Sequence, residues 1–484
     1  MALNELSIQE ASKGLRDKKF SSTELVDACF KSVKKHEKKV DAFLNLFEKE
    51  ATAGAKVADE KISRGDKLAM LEGIPVVVKD NILYADHICT AGSKILEKYN
   101  AVYDATVVNK LKEAGAIIIG KTNLDEFAMG SSTENSAFKT TKNPWDLKRV
   151  PGGSSGGSVA AVSADMCLGA LGSDTGGSVR QPSSFCSTVG LKPTYGRVSR
   201  YGLIAMASSF DQVGTVAGST QDAAWLLRAI EGIDPKDSTS MKVEPIATEF
   251  PDENLKGIKV GVPKEFFDEG LDADVRARIE ESIKKLEELG AKIVEMELPH
   301  SDYGLAVYYL LMPSEVSSNL ARFDGVRYGL REKGKNLLEV YKNTRAKGFG
   351  PEVRRRIMLG TFALSAGYHE AYYGRAQKVR TIIRKEFKEA FKKVDVIVGP
   401  TAPTPAFKIG EKFEDPLTMY LSDIYTVTAN VAGVPAISIP AGFTKDNLPV
   451  GLHLMANYFD ENKMLRVANA YEQATEWYKE IPNL

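Results

Sequence analysis

This sequence predicts an α/β fold in which a central sheet is covered by helices on both faces. Two observations carry that reading. Short β-branched runs alternate with a helical stretch between residues 74 and 120, and the same alternation returns between 258 and 298. The runs between residues 74 and 120 are also apolar instead of alternating with polar residues, the pattern of strands buried on both sides.

The elements follow in order. Ser21 and Glu24 have the spacing of a capping box, after which Leu25, Cys29, Phe30 and Val33 share one helical face. Ile74-Pro-Val-Val-Val-Lys79, bounded by Gly73 and Asp80, is a buried strand. Val107 to Ala114 is helical, and Ala116 to Gly120 is another short strand. From Ser131 to Gly214 Gly and Ser become dense and charge thins, the composition of a flexible linker. Val159-Ala-Ala-Val162 and Cys167-Leu-Gly-Ala-Leu171 interrupt it with core-like segments, so folded loops packed against a core are expected instead. Further on, Ile258 to Val262 is a strand, Val275 to Leu289 an amphipathic helix and Ile293 to Leu298 a strand. Long helical stretches follow around Leu305 to Phe323 and Glu352 to Val394. Val396-Ile-Val398 is a strand ending in a Pro-rich turn, and Ala436-Ile-Ser-Ile439 supplies the last strand. No internal repeat and no clear linker divides the chain, which points to one compact unit.

Composition narrows the function. The 43% apolar and 26% charged residues are ordinary for a soluble globular protein. Lys plus Arg equals Asp plus Glu at 64 each, so there is no broad electrostatic footprint for nucleic acid. Any RNA phosphate is expected to be held mainly by another chain. Cys29, Cys89, Cys167 and Cys186 are widely spaced without a C-x-x-C pair, which argues against zinc or a disulfide framework and for a reduced, cytoplasmic setting. The opening MALNELSIQEASKGLRD has early acids and no apolar core, unlike a signal peptide, and no apolar run is long enough to span a bilayer.

Two Ser/Gly clusters carry the candidate chemistry, Pro151-Gly-Gly-Ser-Ser-Gly-Gly-Ser158 and Ser173-Asp-Thr-Gly-Gly-Ser178. Successive N–H groups in such turns converge on one point and can hold a developing negative charge. A serine at the end of the nest, as Ser178 is, can attack a carbonyl whose oxygen falls among the donors. Taken singly, each cluster is also the composition of a tight surface turn. The serine needs a base, and none of His36, His87, His300, His369 and His453 lies near either cluster. Lysine is the alternative. Lys79 ends an apolar strand, where burial favours its neutral form; free lysine is neutral in only about 0.04% of molecules at pH 7. An isolated lysine there could equally leave the sheet edge for water. No G-x-x-x-x-G-K-[ST] run supports a phosphate-binding loop. Gly152-Gly-Ser154-Ser-Gly156 does match the G-x-S-x-G elbow, which would make Ser154 the nucleophile with His300, His369 or His453 as partner. Spacing leaves that alternative open.

Lys79, the block Gly152 to Ser158 and the block Asp174-Thr-Gly-Gly-Ser-Val-Arg-Gln-Pro182 together resemble the amidase signature family, in the family's order, from about Leu71 to Gly214. The resemblance implies that family's fold, with a central mixed β-sheet. It also implies a single domain over 1–484, with its core at about 71–214 and a C-terminal part completing the sheet and the substrate pocket. It further implies Ser178 as nucleophile, Ser154 after a cis peptide as bridging serine, and Lys79 as base. Oxyanion donors would be the N–H groups of Thr175, Gly176 and Gly177, and no metal would be needed.

Within the family, Gly130-Ser-Ser-Thr-Glu-Asn-Ser136, Gly190 to Leu203, Ser208 to Gly214, Arg354-Arg-Arg-Ile-Met-Leu-Gly360 and Asp415-Pro-Leu-Thr-Met-Tyr420 are similar to the glutaminase subunits of tRNA-dependent amidotransferases. That likeness implies hydrolysis of glutamine to glutamate and ammonia. The B and C subunits of such an enzyme would complete a heterotrimer, with ATP and magnesium used in the B subunit and none in this chain. Mischarged Glu-tRNA(Gln) or Asp-tRNA(Asn) would be engaged mainly through the B subunit. Glutamine presents an α-carboxylate and an α-ammonium, and an arginine fork suits the first. The run Arg354-Arg355-Arg356 offers three such forks; by resemblance Arg356 takes the carboxylate, Asp423 the ammonium, and Tyr308 adds a pocket hydroxyl. The alternatives are a stand-alone amidase of the same family acting on another small amide, and a scaffold that only binds partners.

Overall fold

A computed structural model describes residues 2–250 and 254–484. Among these, eleven strands form one sheet: β1 (Phe43–Leu46), β2 (Pro75–Lys79), β3 (Ile117–Thr122), β4 (Gly169–Asp174), β5 (Val189–Lys192), β6 (Gln212–Ala217), β7 (Lys259–Pro263), β8 (Lys292–Met296), β9 (Val396–Pro400), β10 (Ala436–Phe443) and β11 (Pro449–Ala456). Their order is β1-β3-β2-β4-β6-β5-β10-β11-β9-β7-β8. The sheet is mixed: β2 runs parallel to both β3 and β4, β7 parallel to β8 and β9, and the remaining pairs are antiparallel.

Burial explains the unbroken apolar runs. Every residue of β2, β3, β4, β5, β6, β9 and β11 is buried, so both faces are covered, whereas the edge strands β1 and β8 are partly exposed. One apolar cluster joins the N-terminal helices to Thr220–Ile230 and Glu461–Thr475. A second surrounds Gly304–Asn319, Arg375–Ala390 and Val427–Ala432. The helix Ser22–Val40 starts as its spacing predicts: Ser21 Oγ accepts from the Glu24 N–H at 3.1 Å, and Glu24 Oε2 accepts from the Ser21 N–H at 2.8 Å.

Three expectations need correction. The stretch from Ser131 to Gly214 is more than loops, for it contributes β4, β5 and β6 as well as the helix Gly156–Ser163. Ala436 opens a longer strand that is not the last; β11 follows and pairs with it and with β9. Pro449, Gly451 and His453 mask β11 in the sequence, since a central strand seldom carries such residues. Finally, the stretch from Glu352 to Val394 is broken. Helix Pro351–Ala363 ends, Gly367 takes φ +84°, and a π turn at Glu370–Gly374 leads into Arg375–Ala390.

Candidate active site

Because β3, β2 and β4 are neighbouring parallel strands, their carboxyl ends lie side by side, the position where open α/β sheets place ligands. Lys79 ends β2 there, Asp174 ends β4, and the chain leaving β3 leads to Asp125. Lys79 is 0% exposed. Its Nζ lies 2.8 Å from Ser154 Oγ and 2.9 Å from both Ser155 Oγ and Ser173 Oγ. Burial pushes its pKa down to about 7, against the opposing pull of the Asp125, Asp174 and Asp211 carboxylates. The three hydroxyls are not equivalent. Ser155 Oγ donates to Ser173 O at 3.1 Å, and Ser173 Oγ accepts from Asn81 Nδ2 at 2.9 Å.

Hydrogen bonds join the two serine clusters and the segment after Asp125 into one body. The peptide Gly153–Ser154 is cis. The Gly153 N–H donates to Gln181 Oε1 at 3.0 Å, and Gln181 Nε2 donates to Ser131 O at 3.1 Å. Thr133 Oγ1 donates to Gly152 O at 2.8 Å, while the Ser155 N–H donates to the Ser178 carbonyl at 3.0 Å. Asp125 accepts from the Thr133 and Asn135 N–H groups at 2.9 and 3.0 Å. A Cβ on Gly153 would strike Asp125 Oδ2, so this residue must be glycine for the turn to close on the carboxylate.

Ser178 ends the second cluster and is 8% exposed. Ahead of it, Gly177 has φ +138°, and a Cβ there would collide with Thr426 Oγ1; one on Gly176 would lie 2.6 Å from Tyr308 Cζ. The Gly177 N–H is turned inward to Asp174 Oδ1 at 3.0 Å, whereas the N–H groups of Thr175 and Gly176 meet no acceptor among the described residues. Asp174 is gripped at 3.0 Å by Nε and by one terminal nitrogen of Arg180, and at 2.9 Å by Asn430 Nδ2. Burial alone would raise its pKa, but these partners hold it far below the usual carboxylate range.

The three residues expected to hold substrate gather beside this nest. Tyr308 packs on Gly176, as the blocked Cβ position shows. Arg356 is 2% exposed, lies 5.4 Å from both the Tyr309 and Tyr420 ring centroids, and donates from Nε to Glu352 Oε1 at 2.7 Å. Its neighbours differ: Arg354 is exposed and the Arg355 side chain is 41% exposed, so Arg356 is the buried member of the run. Asp423 accepts from Ser131 Oγ at 2.6 Å; burial pushes its pKa up to about 7, and Ser131 and Arg356 oppose the rise. Thr426, one turn on, donates to Gly176 O at 2.7 Å and so ties the Asp423 segment to the nest.

The amidase family profile matches residues 24–465. The chain belongs to the amidase family. Its similarity runs the full length: it is 55% identical over 486 residues, covering all of both chains, to the A subunit of a glutamyl-tRNA(Gln) amidotransferase of Desulfatibacillum aliphaticivorans. It is 56% identical over 485 residues, again covering all of both, to the protein of the same name from Thermodesulfovibrio yellowstonii. The crystal structure of the A subunit of a glutamyl-tRNA(Gln) amidotransferase from Thermotoga maritima superimposes with a TM-score of 0.82 at 46% identity, covering 99% of this chain and 97% of that one.

In this amidase-family chain the histidines stand apart from Ser154. His300 pairs with Glu386 at 2.7 Å, His369 lies on the surface beside Glu370, and His453 sits in β11, where its Nε2 is 2.9 Å from Arg180. His453 is buried and its pKa is depressed, so it is neutral and accepts from the guanidinium. The G-x-S-x-G reading therefore lacks its base. Sequence reasoning missed Ser155 and Ser173 as Lys79 partners, Ser131 as the partner of Asp423, and Glu352 as the partner of Arg356. Only Glu352 carried a usable signal, its i,i+4 spacing to Arg356.

Proposed function

We propose that this chain is the glutaminase subunit of a tRNA-dependent amidotransferase. The buried amine of Lys79 on the hydroxyl of Ser154 is the observation that carries the reading, and the full-length relatives named as A subunits of glutamyl-tRNA(Gln) amidotransferases support it. Ser178 attacks the side-chain amide carbon of glutamine. Its proton passes to Ser154, whose own proton passes to neutral Lys79. Ser154 is the suitable relay, because the Ser155 proton is already directed at Ser173 O. The carbonyl oxygen gathers charge beside the N–H groups of Thr175 and Gly176, with Gly177 shaping the turn, since its own donor is taken by Asp174. The relay then returns a proton to the leaving nitrogen, ammonia departs, and water cleaves the acyl-serine to glutamate.

Arg356 receives the α-carboxylate, Asp423 the α-ammonium, and Tyr308 lines the pocket between them and the nest. We read the 484 residues as one unit in which the C-terminal part completes the pocket. The ammonia serves the B subunit, which uses ATP and magnesium to amidate Glu-tRNA(Gln), Asp-tRNA(Asn) or both, with the C subunit completing the cytoplasmic heterotrimer. Among the described residues no helix is long and apolar enough to cross a membrane. Co-purification with candidate B and C subunits, followed by a glutamine-dependent assay on both mischarged tRNAs, tests the proposal. Amidation that stops with Ser178→Ala in this chain supports it. Vigorous turnover of bulky aryl or fatty amides with none of glutamine favours a stand-alone amidase.

A further inference from the structure

Glu126 follows Asp125, is 2% exposed, and touches none of the groups assigned a chemical role above. Its Oε2 accepts from the Gly350 N–H at 2.7 Å, and Gly350 is the N-cap of the helix Pro351–Ala363 that carries Glu352 and Arg356. A Cβ on Gly350 would lie 2.5 Å from Oε2, so a side chain there would press on the carboxylate. Its Oε1 takes the hydroxyl of Ser93, which also lies 3.2 Å from Gly348 O. Phe127 packs edge-on against Phe349, the residue before Gly350, with ring centroids 5.8 Å apart.

The backbone here is held in a costly shape. Phe127 and Ala128 adopt φ +50° and +61°, a strained region that non-glycine residues seldom enter. The segment reaches three parts of the site at once. The Asp125 N–H donates to the Ser154 carbonyl at 3.3 Å, Ser131 donates to Asp423, and Glu126 caps the Arg356 helix. A carboxylate is suited to that cap because the first N–H groups of a helix lack internal acceptors and its N-terminus favours negative charge.

Resting on the glutaminase reading, we propose that Glu126 is a positioning residue. Its carboxylate sets the helix Pro351–Ala363 against the Ser154 turn, and so fixes how far Arg356, which holds one end of glutamine, stands from the acyl-transfer centre and from Asp423, which holds the other. Glu126 is in this sense a specificity device, although it meets no substrate. Removing it should cost recognition of the α-carboxylate and α-ammonium and spare the reaction at Ser178.

The test uses two electrophiles that acylate a nucleophilic serine, one carrying the α-ammonium and α-carboxylate of glutamine and one lacking both. Labelling of the full-length protein is followed by intact mass, giving an apparent binding constant and a maximal rate for each. Glu126→Ala is expected to weaken binding of the glutamine-like probe at least tenfold with its maximal rate within about threefold, and to leave the plain probe unchanged. Glu126→Gln, whose carbonyl can still accept from Gly350, should restore most of the binding. Equal losses for both probes, or an unchanged preference in Glu126→Ala, overturn the proposal. Should Glu126→Ala fail to fold, Gly350→Ala, which presses on the same carboxylate, must show the selective loss, and its absence overturns the proposal as well. A wild-type protein with no preference between the probes would instead refute the glutaminase reading, so the two failures are distinct.

Discussion

The chemistry at the residue scale turns on one amine without charge. Ser178→Ala and Lys79→Ala are each expected to lower glutaminase activity by about three orders of magnitude or more, because members of such a relay act as a unit. Far-UV circular dichroism should be unchanged. Substitutions of His300 or His369, which pair with Glu386 and Glu370 and not with the reacting serines, should leave activity near wild type. Among the groups that burial shifts to about 7, Lys79 and Asp423 are the two assigned to the reacting serines and to the substrate ammonium, and the pH profile follows from them. Lys79 is lowered, so its neutral, proton-accepting form grows as pH rises through 7. Asp423 is raised, so its ionised, ammonium-binding form grows over the same range. Both signs agree: kcat/KM for glutamine should fall toward acid with a slope steeper than one, and Asp423→Asn should reduce that slope to one at a higher KM. An amide lacking the α-ammonium should show a slope of one with the unaltered chain. Ser178 and Lys79 stand out as candidates because one ends a Gly/Ser cluster and the other an apolar strand, but the resemblance to the amidase family was needed to choose them and to give Ser154 its bridging role. Ser155, Ser173 and Ser131 do not stand out, for a serine's partner depends on turns the sequence does not number.

At the scale of elements, the substrate end depends on how two helices meet. Gly304–Asn319 carries Tyr308, Pro351–Ala363 carries Arg356, and at their crossing a Cβ on Gly360 would run into the Pro313 carbonyl. Gly360→Ala should therefore push the helices apart. Urea unfolding should show a loss of about 1–3 kcal/mol, and KM for glutamine should rise more than kcat falls. A KM equal to wild type would show that the crossing does not set the pocket. Strands buried on both faces, such as β2 and β3, were legible as apolar runs, and the Ser22–Val40 helix from its capping box. β11 was not, since Pro449, Gly451 and His453 belong to no strand pattern; His453 is used by Arg180, and at Gly451 a Cβ would strike Ser184 and Ser438.

Across the whole molecule, the site is built from both ends of the chain. Arg180 joins Asp174 on β4 to Asn430, to the Thr426 carbonyl and to His453 on β11, all buried. Arg180→Met should leave Asp174 as a buried carboxylate without its main counter-ion. A loss of about 3–5 kcal/mol in denaturant unfolding is expected, with activity falling even where folding persists, because Asp174 also holds the Gly177 turn. The mixed sheet with helices on both faces was readable from the alternation of elements, and the family from three motifs in order. The bridging of β5 to β7 by β10, β11 and β9 was not, since pairings between residues so far apart leave no local trace.

The relay itself is tested most directly by labelling with a glutamine-like electrophile, read by intact mass and peptide mapping, in the unaltered chain and in Ser154→Ala and Lys79→Ala. The account predicts a single adduct on Ser178, formed faster as pH rises through about 7, and nearly absent in both variants. An adduct on Ser154, or labelling of Lys79→Ala at the unaltered rate, would contradict it.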